Sequence, residues 1–213
     1  MVKTWIGDLG NSGIKLCAFR GEKPGPVTRF YGKNARAAAA SWLCREKVRV
    51  LHVACANPSL ERAFRAALKK KGVTINPVRK KKPASLCFRY NFNQLGLDRI
   101  ADAVAARADY VDENLMVLDC GTALTVNVIE GRIFTGGFIL PGLSALFTVL
   151  SGNAPALPKV GAGKKQPVFA RNTRDAMDSG TRLLFIQGIA GLLGWIQKTR
   201  GRNYRIIATG GDA

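Results

Sequence analysis

The stretch DCGTALT, residues 119–125, sets an acid, a glycine and two threonines between the apolar segments NLMVL and VNVIEG. Short apolar runs bounded by turn residues predict buried strands. The tight turn between them predicts a hairpin whose first strand ends in a carboxylate. A charged side chain at the end of a buried strand needs a physical reason, and a second stretch of the chain helps to find it.

The chain opens with a similar stretch, DLGNSGIK, residues 8–15, between the strand-like segments KTWIG and IKLCAFR. Asp8 and Asp119 are 111 residues apart, and each ends an apolar strand that is followed by a strand running the other way. This repeat predicts two copies of one α/β unit. We therefore expect an α/β fold with two duplicated lobes and mixed sheets, one lobe in residues 1–112 and the other in residues 113–213.

Both turns carry residue types that bind a phosphate chain. Glycine lets backbone amides approach an anion closely, and Asn, Ser, Thr and Lys donate hydrogen bonds to phosphate oxygens. An aspartate beside them can hold a hydrated magnesium ion. The first turn has all of these within eight residues, namely Asp8, Leu9, Gly10, Asn11, Ser12, Gly13, Ile14 and Lys15.

Aspartate and glycine are also ordinary turn residues, so one such turn alone is weak evidence for a ligand. Two of them in duplicated halves favour nucleotide binding, with a triphosphate held between two facing hairpins. The final TGGDA adds a third glycine turn, suited to packing against adenine or ribose. The chain lacks the phosphate-loop pattern G-x-x-x-x-G-K-[ST] and a strand-linked G-x-G-x-x-G, so those nucleotide folds are unsupported.

The segment LGLDR, residues 95–99, precedes the apolar period of a helix. Asp98 in the first turn can simply complement the helix dipole. A functional interpretation makes Asp98 a general base toward a substrate hydroxyl and Arg99 a clamp for a carboxylate or phosphate. The residues alone leave both interpretations open.

The net charge is +19, from 33 basic and 14 acidic residues. Residues 1–97 carry 20 of the basic and only 4 of the acidic residues, with the runs KKK and RKKK. A nucleic-acid footprint is one interpretation. A solvated face that attracts anionic substrates is favoured, because no aromatic residues interleave with the basic runs as stacking platforms.

The amino-acid composition limits the kinds of protein that this chain can be. Hydrophobic residues make up 47% of the chain, which is typical of a globular protein. Scattered cysteines and a single histidine, His52, do not fit a zinc site and favour a reducing, cytoplasmic compartment. Cys120 is expected to be a buried filler rather than a nucleophile. The apolar segment of residues 183–196 is too short to span a bilayer and predicts a buried helix, so we expect no membrane partner.

Five segments together resemble type III pantothenate kinases, a family with the actin-like (ribonuclease H-like) ATPase fold. They are DLGNSGIK, YNFNQLGLDR, DCGTALTVNVIEGRIFTGGFILPG, NTRDAMDSG and ATGGDA, and they occur in the order and spacing of that family. The resemblance implies transfer of the ATP γ-phosphate to the primary hydroxyl of pantothenate, the first step toward coenzyme A. It also implies a homodimer with the pantothenate pocket near the subunit interface.

The resemblance implies a role for individual residues. Asp8 to Lys15 and Thr122 match ATP contacts, and Asp119 matches the position that binds a potassium or ammonium ion. Asp98 matches the proton acceptor. The pantothenate contacts implied are Tyr90, Gly96, Leu97, Asp98, Arg99 and Thr173.

Three features depart from the family pattern, and one of them is the strong basic excess. The segment YNFNQLG is one residue shorter than usual and lacks a proline, and many members continue beyond the position of Ala213. A non-catalytic regulator on the same fold, for which the basic charge would suit contact with nucleic acid, is the main alternative function. A kinase for another small hydroxyl substrate is a second.

Overall fold

The computed structural model describes residues 3–10, 13–55, 57–154, 156–161 and 169–213. The chain divides into two compact units, and each has one mixed sheet. The first unit contains residues Met1–Lys81 and Gly96–Asp98, and the second contains Lys82–Leu95 and Arg99–Ala213. The lobe boundary expected between residues 112 and 113 stays a prediction.

The first unit is built from six strands and two helices. They are β1 (Lys3–Leu9), β2 (Gly13–Arg20), β3 (Lys23–Pro24), β4 (Thr28–Tyr31), α1 (Ala35–Arg45), β5 (Val50–Cys55), α2 (Pro58–Lys69) and β6 (Thr74–Pro77). The sheet order is β3-β2-β1-β5-β6, with β4 also pairing with β2. Strands β1 and β2 form the expected antiparallel hairpin, while β5 runs parallel to β1.

Alternation of side chains fixes the first hairpin. Leu9 of β1 and Leu16 of β2 are almost fully buried and pack with Leu51 of β5. Helix α2 adds Phe64 and Leu68 to the same core. The first residues of α2 set where this helix begins.

Asn57 caps α2, because its side chain accepts hydrogen bonds from the backbone amides of Ser59 and Leu60, and Pro58 is the first helical residue. The helix ends at Lys69. Gly72 takes a φ of +71° in the turn that follows.

The second unit has five strands and three helices. They are β7 (Cys87–Phe88), α3 (Leu97–Asp109), β8 (Leu115–Cys120), β9 (Ala123–Glu130), β10 (Ile133–Pro141), α4 (Leu143–Asn153), α5 (Thr173–Arg200) and β11 (Arg205–Gly210). The sheet order is β11-β8-β9-β10-β7. As in the first unit, the strand that ends in the acid is antiparallel to the next strand and parallel to its other neighbour.

Helices α3 and α5 cover opposite faces of this sheet. Val117 of β8 packs in the core that contains α3, whereas its neighbours Met116 and Leu118 pack in the core that contains α5. Adjacent residues of a strand point to opposite faces, so the two helices lie on the two sides. The apolar period of α3 in the sequence predicts a face of Ile100, Val104 and Ala108, but Ala108 is exposed while Ile100 is buried.

Helix α5 corrects the expectation of a fully buried apolar helix. It runs unbroken for 28 residues until Gly201, whose φ is +59°. Leu183, Leu184 and Trp195 are exposed by 45%, 66% and 55% of their surface. Within the described part of the chain, no helix is long and apolar enough to cross a membrane.

Candidate active site

The first acid–glycine turn joins β1 to β2. Asp8 is paired across the hairpin with Lys15, whose Nζ lies 3.4 Å from the Asp8 Oδ2, and both side chains are about half exposed. Beyond them, Leu9 and Ile14 are buried and anchor the turn in the core. The Gly10 amide closes the turn by donating to the Gly13 carbonyl at 3.0 Å. Asn11 and Ser12 lie outside the described residues.

Gly13 is required by the packing of its own sheet. A Cβ atom there would lie 2.6 Å from the Tyr31 ring and 2.7 Å from the Phe30 carbonyl oxygen, both on the paired strand β4. A backbone carbonyl cannot move aside as a flexible side chain can. The sequence assigned this glycine to the approach of a ligand, whereas the neighbouring strand already demands it.

An open cavity of about 500 Å³ lies beside this turn within the first unit. Its charged lining residues are Lys33 and Arg36, so its walls favour an anion over a cation. The remaining lining residues are Gly10, Gly13, Ile14, Gly32, Ala35, Asn57, Ser59 and Leu60.

The second acid–glycine turn joins β8 to β9. Asp119 is paired with Thr125, and the Gly121 amide donates to the Ala123 carbonyl at 3.2 Å. The backbone of Gly142, just before α4, donates to the Thr122 carbonyl at 3.1 Å. A Cβ atom on Gly142 would lie 2.6 Å from that same oxygen, so only glycine lets α4 begin against this turn.

The third glycine turn lies against the second. Gly210, with a φ of +105°, ends β11 so close to Cys120 that a Cβ atom would overlap the Cys120 backbone. The Asp212 amide then donates to the Cys120 carbonyl at 3.0 Å. The structure thus brings together the second and third glycine turns of the sequence.

Cys120 itself is not poised for nucleophilic chemistry. Its side chain is buried, and burial raises the pKa of the thiol. The negative charges of Asp119 and Asp212 raise that pKa further, so the thiol stays protonated near neutral pH. The expectation of a buried filler fits this environment.

Asp98 and Arg99 lie in the first turn of α3. Asp98 is exposed, and a Cβ atom on Gly96 would collide with its Oδ1. Gly96 therefore leaves room for the Asp98 carboxylate. Leu97 between them is half-buried.

Arg99 is only 4% exposed, which is unusual for a charged side chain. Its Nε donates to the Asn127 Oδ1 at 2.6 Å. Its guanidinium carbon lies 5.3 Å from the centre of the Tyr90 ring and 5.6 Å from that of Phe134. The structure therefore brings together Tyr90 and Arg99, two of the expected substrate contacts.

Sequence reasoning missed Asn127, Phe134 and Gly137 around Arg99. The available signal was a lone amide in the otherwise apolar run VNVI. Thr173 is the first residue of α5, where its side chain is exposed next to the N-cap Asn172. Its substrate contact stays a prediction.

The described residues of these turns offer few side chains that could hold a metal ion. No group of three or more His, Cys, Asp or Glu side chains that could hold a metal occurs among the described residues. Asp119 provides a single carboxylate beside backbone carbonyls. That donor set fits a cation that takes most of its ligands from water and phosphate oxygens.

Comparisons with known proteins point to one family. A family model described as Type III pantothenate kinase matches residues 5–194. Proteins named Type III pantothenate kinase from Petrotoga mobilis and Hyphomonas neptunium are 36% and 37% identical to the chain over 119 and 121 residues. Each alignment covers 56% of this chain, and 46% and 47% of the relative. The chain thus spans about half the length of the curated relatives it matches.

Solved structures agree on the fold. A conserved protein assigned to the Baf family of transcriptional activators from Campylobacter jejuni has a TM-score of 0.58 at 22% identity. MreB5 of Spiroplasma citri, bound to ADP, has a TM-score of 0.51 at 10% identity. Both alignments cover 98% of this chain and 84% of the other. The fold is therefore that of the actin-like ATPases, as expected.

Proposed function

The chain belongs to the type III pantothenate kinase family. On that premise we propose that it catalyses the ATP-dependent phosphorylation of pantothenate to 4'-phosphopantothenate, the first step of coenzyme A biosynthesis. The observation that carries the proposal is the family match over residues 5–194, which includes both acid–glycine turns and the Asp98–Arg99 pair. Because ATP is the donor, the reaction belongs in the cytoplasm.

ATP is held, in this proposal, by the two turns. Asp8 to Lys15 in the first turn and Thr122 in the second contact the phosphates, with Lys15 adding positive charge. Asp119 holds a potassium or ammonium ion, and magnesium binds the nucleotide. When bound, these cations neutralise the charge of the phosphates, which is most of what phosphoryl transfer requires beyond positioning.

The acceptor is held at the beginning of α3. Asp98 is the general base that takes the proton of the pantothenate hydroxyl as it attacks the γ-phosphate. The exposure of Asp98 and the space left by Gly96 support this role. Arg99 with Tyr90 binds the pantothenate carboxylate, and Leu97 and Thr173 complete the pocket.

A coupled ADP-release assay with pantothenate, run in potassium and then in sodium, tests the proposal. We expect turnover in potassium and much less in sodium. Turnover only with another hydroxyl acceptor would assign a different kinase activity. No turnover together with salt-sensitive DNA binding would favour a regulator on this fold.

The protein is further proposed to act as a homodimer through α5. Gly180, Gly188 and Gly191 follow one stripe of this helix with Leu184 and Trp195. Among the described residues, no atom outside the helix backbone lies within 4 Å of a Cβ atom built at those glycines. Glycine destabilises a helix interior by about 1 kcal/mol, so such a stripe needs a compensating contact. A second copy packed against exposed Leu184 and Trp195 supplies one.

A further inference from the structure

Asn127 is a polar residue in an apolar place. It lies in β9, the central strand of the second sheet, between Val126 and Val128, and none of its surface is exposed. Its Nδ2 is buried and has no hydrogen-bond partner among the described residues. A buried polar atom left unsatisfied is unfavourable for folding. Stability alone therefore does not explain an asparagine here.

The contact that Asn127 does make is with Arg99. Its Oδ1 accepts from the Arg99 Nε at 2.6 Å, one of the shorter distances among the side-chain hydrogen bonds. The guanidinium group is planar and its five N–H donors are fixed relative to one another. Holding Nε therefore sets the direction in which the two terminal nitrogens point.

Two other features confine the same guanidinium. The rings of Tyr90 and Phe134 lie 5.3 and 5.6 Å from its central carbon. On β10, Gly137 faces Asn127 in register, and a Cβ atom there would lie 2.9 Å from the Arg99 Nη2. The rings and the glycine limit where the group can lie, and the hydrogen bond from Nε to the Asn127 oxygen holds its rotation.

We propose that Asn127 is a positioning residue, which orients the Arg99 guanidinium toward the negatively charged group of the acceptor substrate. This inference rests on the proposed function, in which Arg99 binds the pantothenate carboxylate. Asn127 does not touch the substrate. Its contribution is to keep Arg99 in the binding geometry before the substrate arrives, which reduces the ordering needed on binding.

Steady-state kinetics with two acceptors tests this role. One acceptor is pantothenate, and the other is its neutral primary amide, which lacks the carboxylate. Loss of a hydrogen bond to a charged group predicts that Asn127→Ala raises the KM for pantothenate about 10- to 100-fold. We expect kcat to change little and the KM for the amide to rise much less.

Val128→Ala is the matched control, because Val128 is buried on the opposite face of the same strand and packs with the α5 core. It should lower stability without changing the ratio of the two KM values. Equal increases in KM for both acceptors with Asn127→Ala would overturn the inference.

Calorimetric titration of pantothenate and its amide separates this inference from the proposed function. Preferential binding of the acid that Asn127→Ala abolishes supports the positioning role even if no turnover occurs, and then only the kinase proposal fails. A parental protein that turns over pantothenate but binds acid and amide equally would overturn the positioning role and the carboxylate contact of Arg99, while the kinase activity would stand.

Discussion

At the scale of single residues, Asp98 is the side chain on which the proposed chemistry depends most. Asp98→Asn keeps the shape of the side chain and removes its basicity. General bases typically contribute about 10²–10⁴-fold to rate, so we expect turnover to fall by at least that order. Nucleotide binding, measured by calorimetry, should persist. Phosphorylation of pantothenate at the parental rate would show that Asp98 is not the base.

Gly137 and Gly136 offer a second test, because their backbones are alike and their surroundings differ. Their φ angles are +153° and +144°, which side chains rarely adopt. Alanine at Gly136 meets no other atom within 4 Å, so it should cost only the backbone strain, about 1–3 kcal/mol. Alanine at Gly137 also collides with Val126 and Arg99 and should cost more. Equal decreases in the free energy of unfolding for the two alanine variants, measured in urea, would contradict the collision at Gly137.

Individual residues also show how much of the site could be predicted from the sequence. The turn glycines were identified from the sequence, but Gly13 proves necessary for strand packing. Such a requirement depends on which strand pairs with it, and local sequence does not encode that pairing. Asn127 was missed for the same reason, since only the sheet register brings it beneath Arg99.

At the scale of elements, Glu130 joins the end of β9 to α5 and to Tyr204, the residue just before β11. It accepts hydrogen bonds from Arg200 Nε and Nη2 at 2.8 and 2.6 Å and from the Tyr204 hydroxyl at 2.5 Å. The bond from Arg200 is the main reason that the pKa of Glu130 is lowered to about 2, and burial partly opposes this shift. The carboxylate therefore stabilises the fold only while it is ionised.

This arrangement predicts a pH dependence of stability. The folded pKa of Glu130 lies below its usual value of 4.5, so its contribution is complete above about pH 4.5 and is lost as the pH falls toward 2. Glu130→Gln should remove this part of the acid dependence and lower stability at neutral pH by about 1–3 kcal/mol. Thermal unfolding between pH 2 and 7 measures both effects.

Glu113→Gln is the control for that experiment. Glu113 pairs with Arg205 at 2.6 Å, but its side chain is 41% exposed and that of Arg205 is 48% exposed. Exposed ion pairs contribute about 0–1 kcal/mol, so this change should matter little. If Glu130→Gln and Glu113→Gln lower the free energy of unfolding equally, the contact of Glu130 with Arg200 and Tyr204 contributes no more to stability than an exposed ion pair.

Elements whose pattern is local were predictable from sequence, and those that depend on distant pairing were not. The β1–β2 and β8–β9 hairpins and the cap of α2 follow from alternation, turn residues and the Asn57–Pro58 pair. The parallel contact of β11 with β8 joins segments far apart in sequence, and no local pattern indicates it. The buried face of α3 likewise depends on the sheet beneath it.

At the scale of the whole molecule, the exposed stripe of α5 makes the proposed dimer testable. Leu184→Arg puts a charge on a side chain that is 66% exposed in the single chain. Burying an unpaired charge in an interface is strongly unfavourable, so the dimer should dissociate. Sedimentation velocity measures the change in mass.

Val111→Arg provides the comparison, because Val111 is 67% exposed but lies in the turn after α3. It should leave the association state unchanged. A parental protein that sediments as a monomer, or a Leu184→Arg variant that stays dimeric, would contradict the proposed interface. The apolar composition of α5 predicts a buried helix. In a single chain this helix is partly exposed, so the prediction is wrong for the chain by itself.

The two ends of strand β9 lie far apart. It begins at Ala123, beside the Asp119 turn, and ends seven residues later at Glu130, so about 23 Å separates its two ends. We expect substitutions near Glu130 to alter thermal and acid stability, and, on the proposed function, substitutions near Ala123 to alter the reaction. Stability and the proposed reaction would then depend on opposite ends of one strand.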